Sequence, residues 1–201
     1  SAEWGGGALG GQGLPCTLNN CTLTGNSAQS GGGAVWSTLN NCIVYYNSAG
    51  AGANYYESAL DYCCTTPLPE GTGNLIEEPS FVNTNGWSNL RLQASSPCIN
   101  AGHNAYTQGL TDLDDNSRIV SGTVDIGAYE YQGAGSTISY AWLQHYGLPT
   151  DGSADDADAD SDGLSAYQEW RCQTDPTDAG SVLRLLSATP AGTPPGGVLV
   201  S

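Results

Sequence analysis

Hydrophobic and polar positions in the first third of the chain follow a repeat rather than a helical or simple alternating period. Leu18-Asn19-Asn20-Cys21 recurs as Leu39-Asn40-Asn41-Cys42 and, in weaker form, as Leu60-Asp61-Tyr62-Cys63, each step being 21 residues. The residues ahead of the motif align as well: Cys16-Thr17, Ser37-Thr38 and Ser58-Ala59. After the first two cysteines comes one tripeptide, Asn26-Ser27-Ala28 and then Asn47-Ser48-Ala49. Gly5-Gly6-Gly7-Ala8 and Gly31-Gly32-Gly33-Ala34 stand 26 residues apart, which fits an insertion around Gly11 to Pro15 with the register restored at Cys16. A repeat this short cannot bury an apolar face alone, and it predicts one coil of a right-handed parallel β-helix. Leu18, Leu39 and Leu60 then stack inside, as do Cys21, Cys42 and Cys63, and Gly and Asn supply the corners where φ is positive.

The cysteine column reads as a ladder of thiols packed as small apolar groups. It lacks the paired CxxC spacing of metal and redox sites. For a disulfide, Cys63 or Cys64 with Cys98 is the better candidate, while Cys16 and Cys172 fall outside the column and could staple domains or neighbouring chains. Residue 1 falls partway through a coil. The sequence therefore predicts processed or partial material, with earlier coils removed or another molecule covering this end.

After the coils (1–78) the register is lost, and 79–132 reads as a β-rich closing segment. Phe81-Val82, Leu90-Arg91-Leu92, Ile119-Val120 and Val124-Asp125-Ile126 are its predicted strands. Here Ser96-Pro97-Cys98-Ile99-Asn100-Ala101-Gly102, Thr111-Asp112-Leu113-Asp114, Arg118-Ile119 and Val124-Asp125-Ile126-Gly127-Ala128-Tyr129-Glu130 occur in order. Together with the Asn-Cys and Gly-Gly-Gly-Ala coils, this segment resembles secreted bacterial β-helix proteins of the choice-of-anchor and polymorphic outer-membrane repeat type. It departs from them where Asp115 and Ser117 replace a more usual Gly and Pro. The resemblance covers roughly residues 1 to 132 and implies an extracellular, cell-surface, structural role.

Residues 137–180 carry the strongest chemical motif. Asp158-x-Asp160-x-Asp162-Gly163, followed by Glu169, matches an EF-hand-type calcium loop position by position. Alternating carboxylates suit the six to eight oxygen ligands of Ca²⁺, Gly163 permits the sharp turn, the Leu164 carbonyl supplies position seven and Glu169 closes the shell. Eight of the thirteen Asp lie between 151 and 178, so a cation would relieve a local charge problem. Helix-like spacing of Tyr140, Trp142, Leu143 and Tyr146 on one side, and of Leu164, Tyr167 and Trp170 on the other, predicts a helix–calcium loop–helix module. The segment resembles the single calcium loops of dockerins and thrombospondin type 3-like repeats. That resemblance implies Asp158, Asp160, Asp162 and Glu169 as ligands, with Asp156 and Asp175 as additions. Ser165, where paired EF-hands carry an apolar residue, points to a lone structural site. The tail, 181–201, reads as two strands, incomplete or pairing with another chain.

Composition narrows the rest. Four Lys plus Arg against 20 Asp plus Glu give a net charge of −16, which disfavours binding to nucleic acid or to anionic lipid. Seven Cys without a single Lys or Met suit an extracellular, oxidising setting. No apolar run reaches the ~20 residues of a membrane span. An enzymatic β-helix needs clustered carboxylates or a carboxylate with a base. The one such group, Asp112, Asp114, Asp115 and Arg118, reads first as a turn with an internal ion pair, and His103 and His145 are isolated. The function expected is a non-enzymatic, calcium-stabilised subunit of an extracellular bacterial fibre, self-associating head to tail. The alternatives are the C-terminal region of a larger adhesin, or a carbohydrate-binding or carbohydrate-cleaving β-helix. For the last, Trp4, Trp36, Tyr45, Tyr46, Tyr55 and Tyr56 would face cell-surface polysaccharide.

Overall fold

The computed structural model describes residues 2–11, 13–183, 188–190 and 198–200, the side chains of the last two segments excepted. The chain divides into two compact units, Ser1–Asp155 and Asp156–Ser201.

The first unit is built on four parallel three-stranded sheets. One sheet joins Ala2–Trp4, Ser27–Ser30 and Ser48–Ala51, and a second joins Ala8–Leu9, Ala34–Val35 and Tyr55–Tyr56. The third joins Cys16–Asn19, Ser37–Asn40 and Ala59–Asp61, and the fourth Thr22–Leu23, Ile43–Val44 and Cys64–Thr65. The register aligns the repeat with itself: Leu18 pairs with Leu39 and Leu39 with Leu60, while Ala28 pairs with Ala49. Ala8 pairs with Ala34 across the longer step, and the insertion loops out as a turn in which Gly11 and Leu14 exchange backbone hydrogen bonds of 3.0 Å each. Such stacking is compatible with a β-helix-like fold.

Corners recur in register too. Asn20, Asn41 and Tyr62 hold φ of 50°, 51° and 51°, so the left-handed turn survives where the third copy loses its Asn. Close approach explains one glycine: a Cβ on Gly33 would lie 2.2 Å from the Asn54 carbonyl oxygen and 2.6 Å from Val44 Cγ1.

Successive residues of a strand point to opposite faces, and this separates two cores. Leu23, Ala34, Leu39, Cys42, Val44, Leu60 and Cys63 fill the space between the four sheets. Within it Cys21 N donates to Cys42 Sγ and Cys42 N to Cys63 Sγ, both at 3.4 Å. Asn74 ends the ladder, its Oδ1 accepting from Cys63 N at 2.9 Å, as a parallel bridge from Cys64 to Leu75 closes over the third coil. Ile43 and Cys64 face the other way, into a second core with Phe81, Leu92, Cys98, Ile99, Ile126 and Tyr140 from the segment after the coils.

That closing segment holds one antiparallel pair, Phe81–Asn83 with Asn89–Leu92. The expected strands at 119–120 and 124–126 do not form, because side chains take the amides a ladder would use. Glu130 accepts from Val120 N and Asp125 N at 3.0 Å each, and Asn104 Oδ1 accepts from Val124 N at 2.9 Å. Helix α1 (Tyr140–His145) belongs to this first unit, with Tyr140 N donating to the Ile99 carbonyl at 3.1 Å. All seven cysteines are unpaired in this structure. Among the described residues no helix is long and apolar enough to cross a membrane.

Candidate metal centre

The second unit carries the acidic loop and helix α2 (Ala166–Cys172). A reciprocal capping box starts the helix: Ser165 N donates to Gln168 Oε1 at 2.9 Å, and Ser165 Oγ accepts from Gln168 N. This fixes Glu169 in the first turn, pointed inward and fully buried.

Ahead of the helix the backbone winds around three carboxylates. Asp158 Oδ1 accepts from Ser161 N (2.7 Å) and Asp162 N (3.2 Å), and its Oδ2 from Gly163 N (3.0 Å). Asp160 Oδ1 accepts from Asp162 N at 3.1 Å, and Asp162 Oδ1 from Leu164 N at 2.8 Å. Gly163 adopts φ of 99° with open space where a Cβ would stand, so the turn and not crowding requires glycine. One oxygen from each of Asp158, Asp160 and Asp162 lies within 4.8 Å of the others.

Grouped acids are common on surfaces, and the unsatisfied oxygens are the more telling feature. Asp160 Oδ2, Asp162 Oδ2 and Glu169 Oε2 are buried with no hydrogen-bond partner. A buried, unpaired carboxylate oxygen is costly. Burial, followed by the charges of Asp160, Asp162 and Asp158, pushes the Glu169 carboxyl up to about 7. An oxygen-seeking divalent cation fits this donor set, since it would take up the orphaned lone pairs and offset the mutual repulsion.

Asp156 and Asp175 lie outside the group of three. Asp156 is exposed. Asp175 accepts from Thr177 N (2.9 Å) and Thr177 Oγ1 (2.7 Å) in the turn after α2. Leu164 is half-buried, with its N–H on Asp162. Thr174, which the motif does not specify, backs the site: its Oγ1 donates to Glu169 Oε1 and its N–H to the Glu169 carbonyl.

Elsewhere the structure disperses the other candidate cluster. Asp114 pairs with Arg91, and Asp112 accepts from the amides of Asp114, Asn116 and Glu130. Arg118 is buried and donates to the carbonyls of Gly127, Ala128 and Asn20, so the expected ion pair within the turn is replaced by backbone capping. The isolated histidines are exposed and lie against tyrosine rings. His103 lies against the Tyr62 ring at 4.8 Å and His145 against the Tyr146 ring at 4.8 Å. Of the aromatic candidates, Trp4 stacks on Trp36 at 5.3 Å and 22°, with Tyr56 alongside at 6.3 Å. Tyr45 and Tyr46 meet edge to face, and Tyr46 also touches Trp87.

No protein-family model, no curated protein and no solved structure matches this chain.

Proposed function

We propose that this chain is a non-enzymatic structural subunit of an extracellular bacterial fibre or surface assembly. In this reading the coils form a right-handed parallel β-helix of about 21 residues per turn that stacks head to tail on a second copy. Calcium, held by Asp158, Asp160, Asp162, the Leu164 carbonyl and Glu169, stiffens the loop that leads into α2.

The observation that carries the reading is how the repeated residues are used. Asn19 with Asn40, Asn26 with Asn47 and Trp36 with Glu57 are each bonded across one step of 21 residues, so the repeat joins coil to coil. Strands Ala2–Trp4, Ala8–Leu9, Cys16–Asn19 and Thr22–Leu23 each pair on one side in this chain. Leu9 is 52% exposed, whereas Val35, paired with it, is fully buried. The orphaned carboxylate oxygens support the calcium part.

Sedimentation velocity in calcium and after chelation tests the proposal. Concentration-dependent, calcium-dependent large species are expected. A monomer under both conditions would favour the alternative of a segment of a larger surface adhesin. The aromatic stack of Trp4, Trp36 and Tyr56, with Trp4 39% exposed, is what favours the carbohydrate-binding alternative. Retention on immobilised polysaccharide that is lost on Trp4→Ala would support it.

A further inference from the structure

We infer that Cys64 and Cys98 form an intramolecular disulfide that fastens the closing segment to the third coil. The inference rests on core packing and is independent of the calcium and assembly reading.

Adjacent cysteines at 63 and 64 point into different cores. Cys63 belongs to the interior between the sheets, with Leu39 and Cys42. Cys64 faces outward into the second core, where Cys98 also lies, and both are fully buried. Within that core Cys98 is the group that acts most strongly on the Cys64 thiol. Each is held on its own scaffold. Cys64 sits on the last strand of the fourth sheet, its Sγ donating to the Glu77 carbonyl at 3.2 Å. Cys98 is fixed by its N–H on Ser96 Oγ (3.2 Å) and by its carbonyl, which accepts from Ile126 N (3.0 Å).

The other thiols are occupied differently. Cys21, Cys42 and Cys63 each donate to a carbonyl two residues back, of Asn19, Asn40 and Asp61, at 3.2 to 3.3 Å. Cys42 and Cys63 in addition accept the N–H of the coil before. A bond between two of these would break hydrogen bonds that hold the ladder. Cys64 and Cys98 join two segments that no strand pairing connects, so a bond there adds a constraint the backbone lacks.

The chemistry is thiol–disulfide exchange with a low-molecular-weight disulfide such as oxidised glutathione. One protein thiolate attacks it, forming a mixed disulfide and releasing one glutathione thiolate. The second protein thiolate then displaces the other glutathione. Two protein thiols lose two protons and two electrons, and one glutathione disulfide becomes two glutathione thiols. The neighbouring Cys98 thiol, together with burial in the folded state, holds Cys64 well above the ordinary thiol range. Exchange therefore belongs to the stage before the closing segment docks, and docking then shields the product.

Refolding the full chain in a glutathione redox buffer and mapping it without reduction tests this. Trypsin cuts after Arg91 and Arg118, leaving Cys64 in the peptide 1–91 and Cys98 in 92–118. The expected result is a cross-link between these peptides that reduction dissolves, retained in Cys63→Ser and lost in Cys64→Ser. The oxidised chain should also lose roughly 5–15 °C of Tm on reduction. Recovery of Cys98 as a free thiol from oxidised, folded protein would overturn the inference, as would loss of the cross-link in Cys63→Ser. If Cys64→Ser fails to fold, fragmentation of the cross-linked peptide 1–91 in the mass spectrometer decides the matter, and a bond at any cysteine other than Cys64 would overturn the inference.

Discussion

Asn47 Oδ1 accepts from both the backbone N–H and the side-chain Nδ2 of Asn26, at 3.0 and 3.1 Å, one step of 21 residues away. The same side chain turns its own Nδ2 to the Leu23 carbonyl at 2.8 Å. One buried amide thus does the work of a strand pair at a corner where no strand runs, and Asn54 continues the ladder by accepting from Asn47 N.

Asn47→Ala strands the Asn26 N–H and removes one of the two donors of the Leu23 carbonyl, which keeps Tyr45 N at 3.2 Å. The orphaned N–H costs about 1–3 kcal/mol, and the lost side-chain bonds add to it. Thermal unfolding should show a Tm lowered by roughly 5–15 °C. An unchanged Tm would mean that the corner is held by the flanking strands alone.

The coil register was legible in the sequence because Leu18, Leu39 and Leu60 must bury the same side chain at the same place, and burial of that kind leaves a periodic trace. The corners were legible for the same reason at Asn20 and Asn41. Tyr62 holds the identical turn without an Asn, since strand pairing on both sides imposes the conformation. The closing segment was misread at 119–126 because Glu130, Asn104 and Asp125 replace strand partners, and a carboxylate that caps a distant amide has no spacing to read. The boundary at Asp155 was hidden likewise: the Tyr140 helix has the apolar spacing expected of a calcium module, and its contacts with Ile99, Ser95 and the second core place it in the first unit. For the loop, Asp158, Asp160 and Asp162 were found by spacing alone. The support from Thr174 was not, because it depends on where the chain travels after α2.

Glu169→Gln keeps the size of the side chain and removes its charge. Calcium affinity, measured by titration calorimetry, should fall at least about tenfold, or ~1.4 kcal/mol. Because the metal-free Glu169 carboxyl titrates at about 7, calcium must displace its proton below that pH. Proton release on binding should therefore be present at pH 6, fade by pH 8 and be absent in the variant. Equal affinity in both proteins would remove Glu169 from the ligand set.

Asp125 and Glu130 govern the pH dependence of the closing segment. Burial pushes both carboxyls up, and the Asp125 charge raises Glu130 further, while Arg118 opposes the shift in each. Asp112 adds to the upward shift of Asp125. Their folded values lie above the unfolded ones, so the native state holds protons that the unfolded chain has released. Their contribution is fully present below about pH 4 and is lost as pH rises through neutrality. With calcium saturating the loop, denaturant midpoints should fall from pH 5 to pH 8, and Glu130→Gln should flatten the slope. Midpoints rising over that range would show both groups ionised in the fold.

Electron microscopy of the purified chain, in calcium and again after chelation, reaches the central claim most directly. Head-to-tail stacking predicts filaments with an axial repeat of one chain, shortened or dispersed once calcium is removed. Single compact particles in both conditions would contradict it.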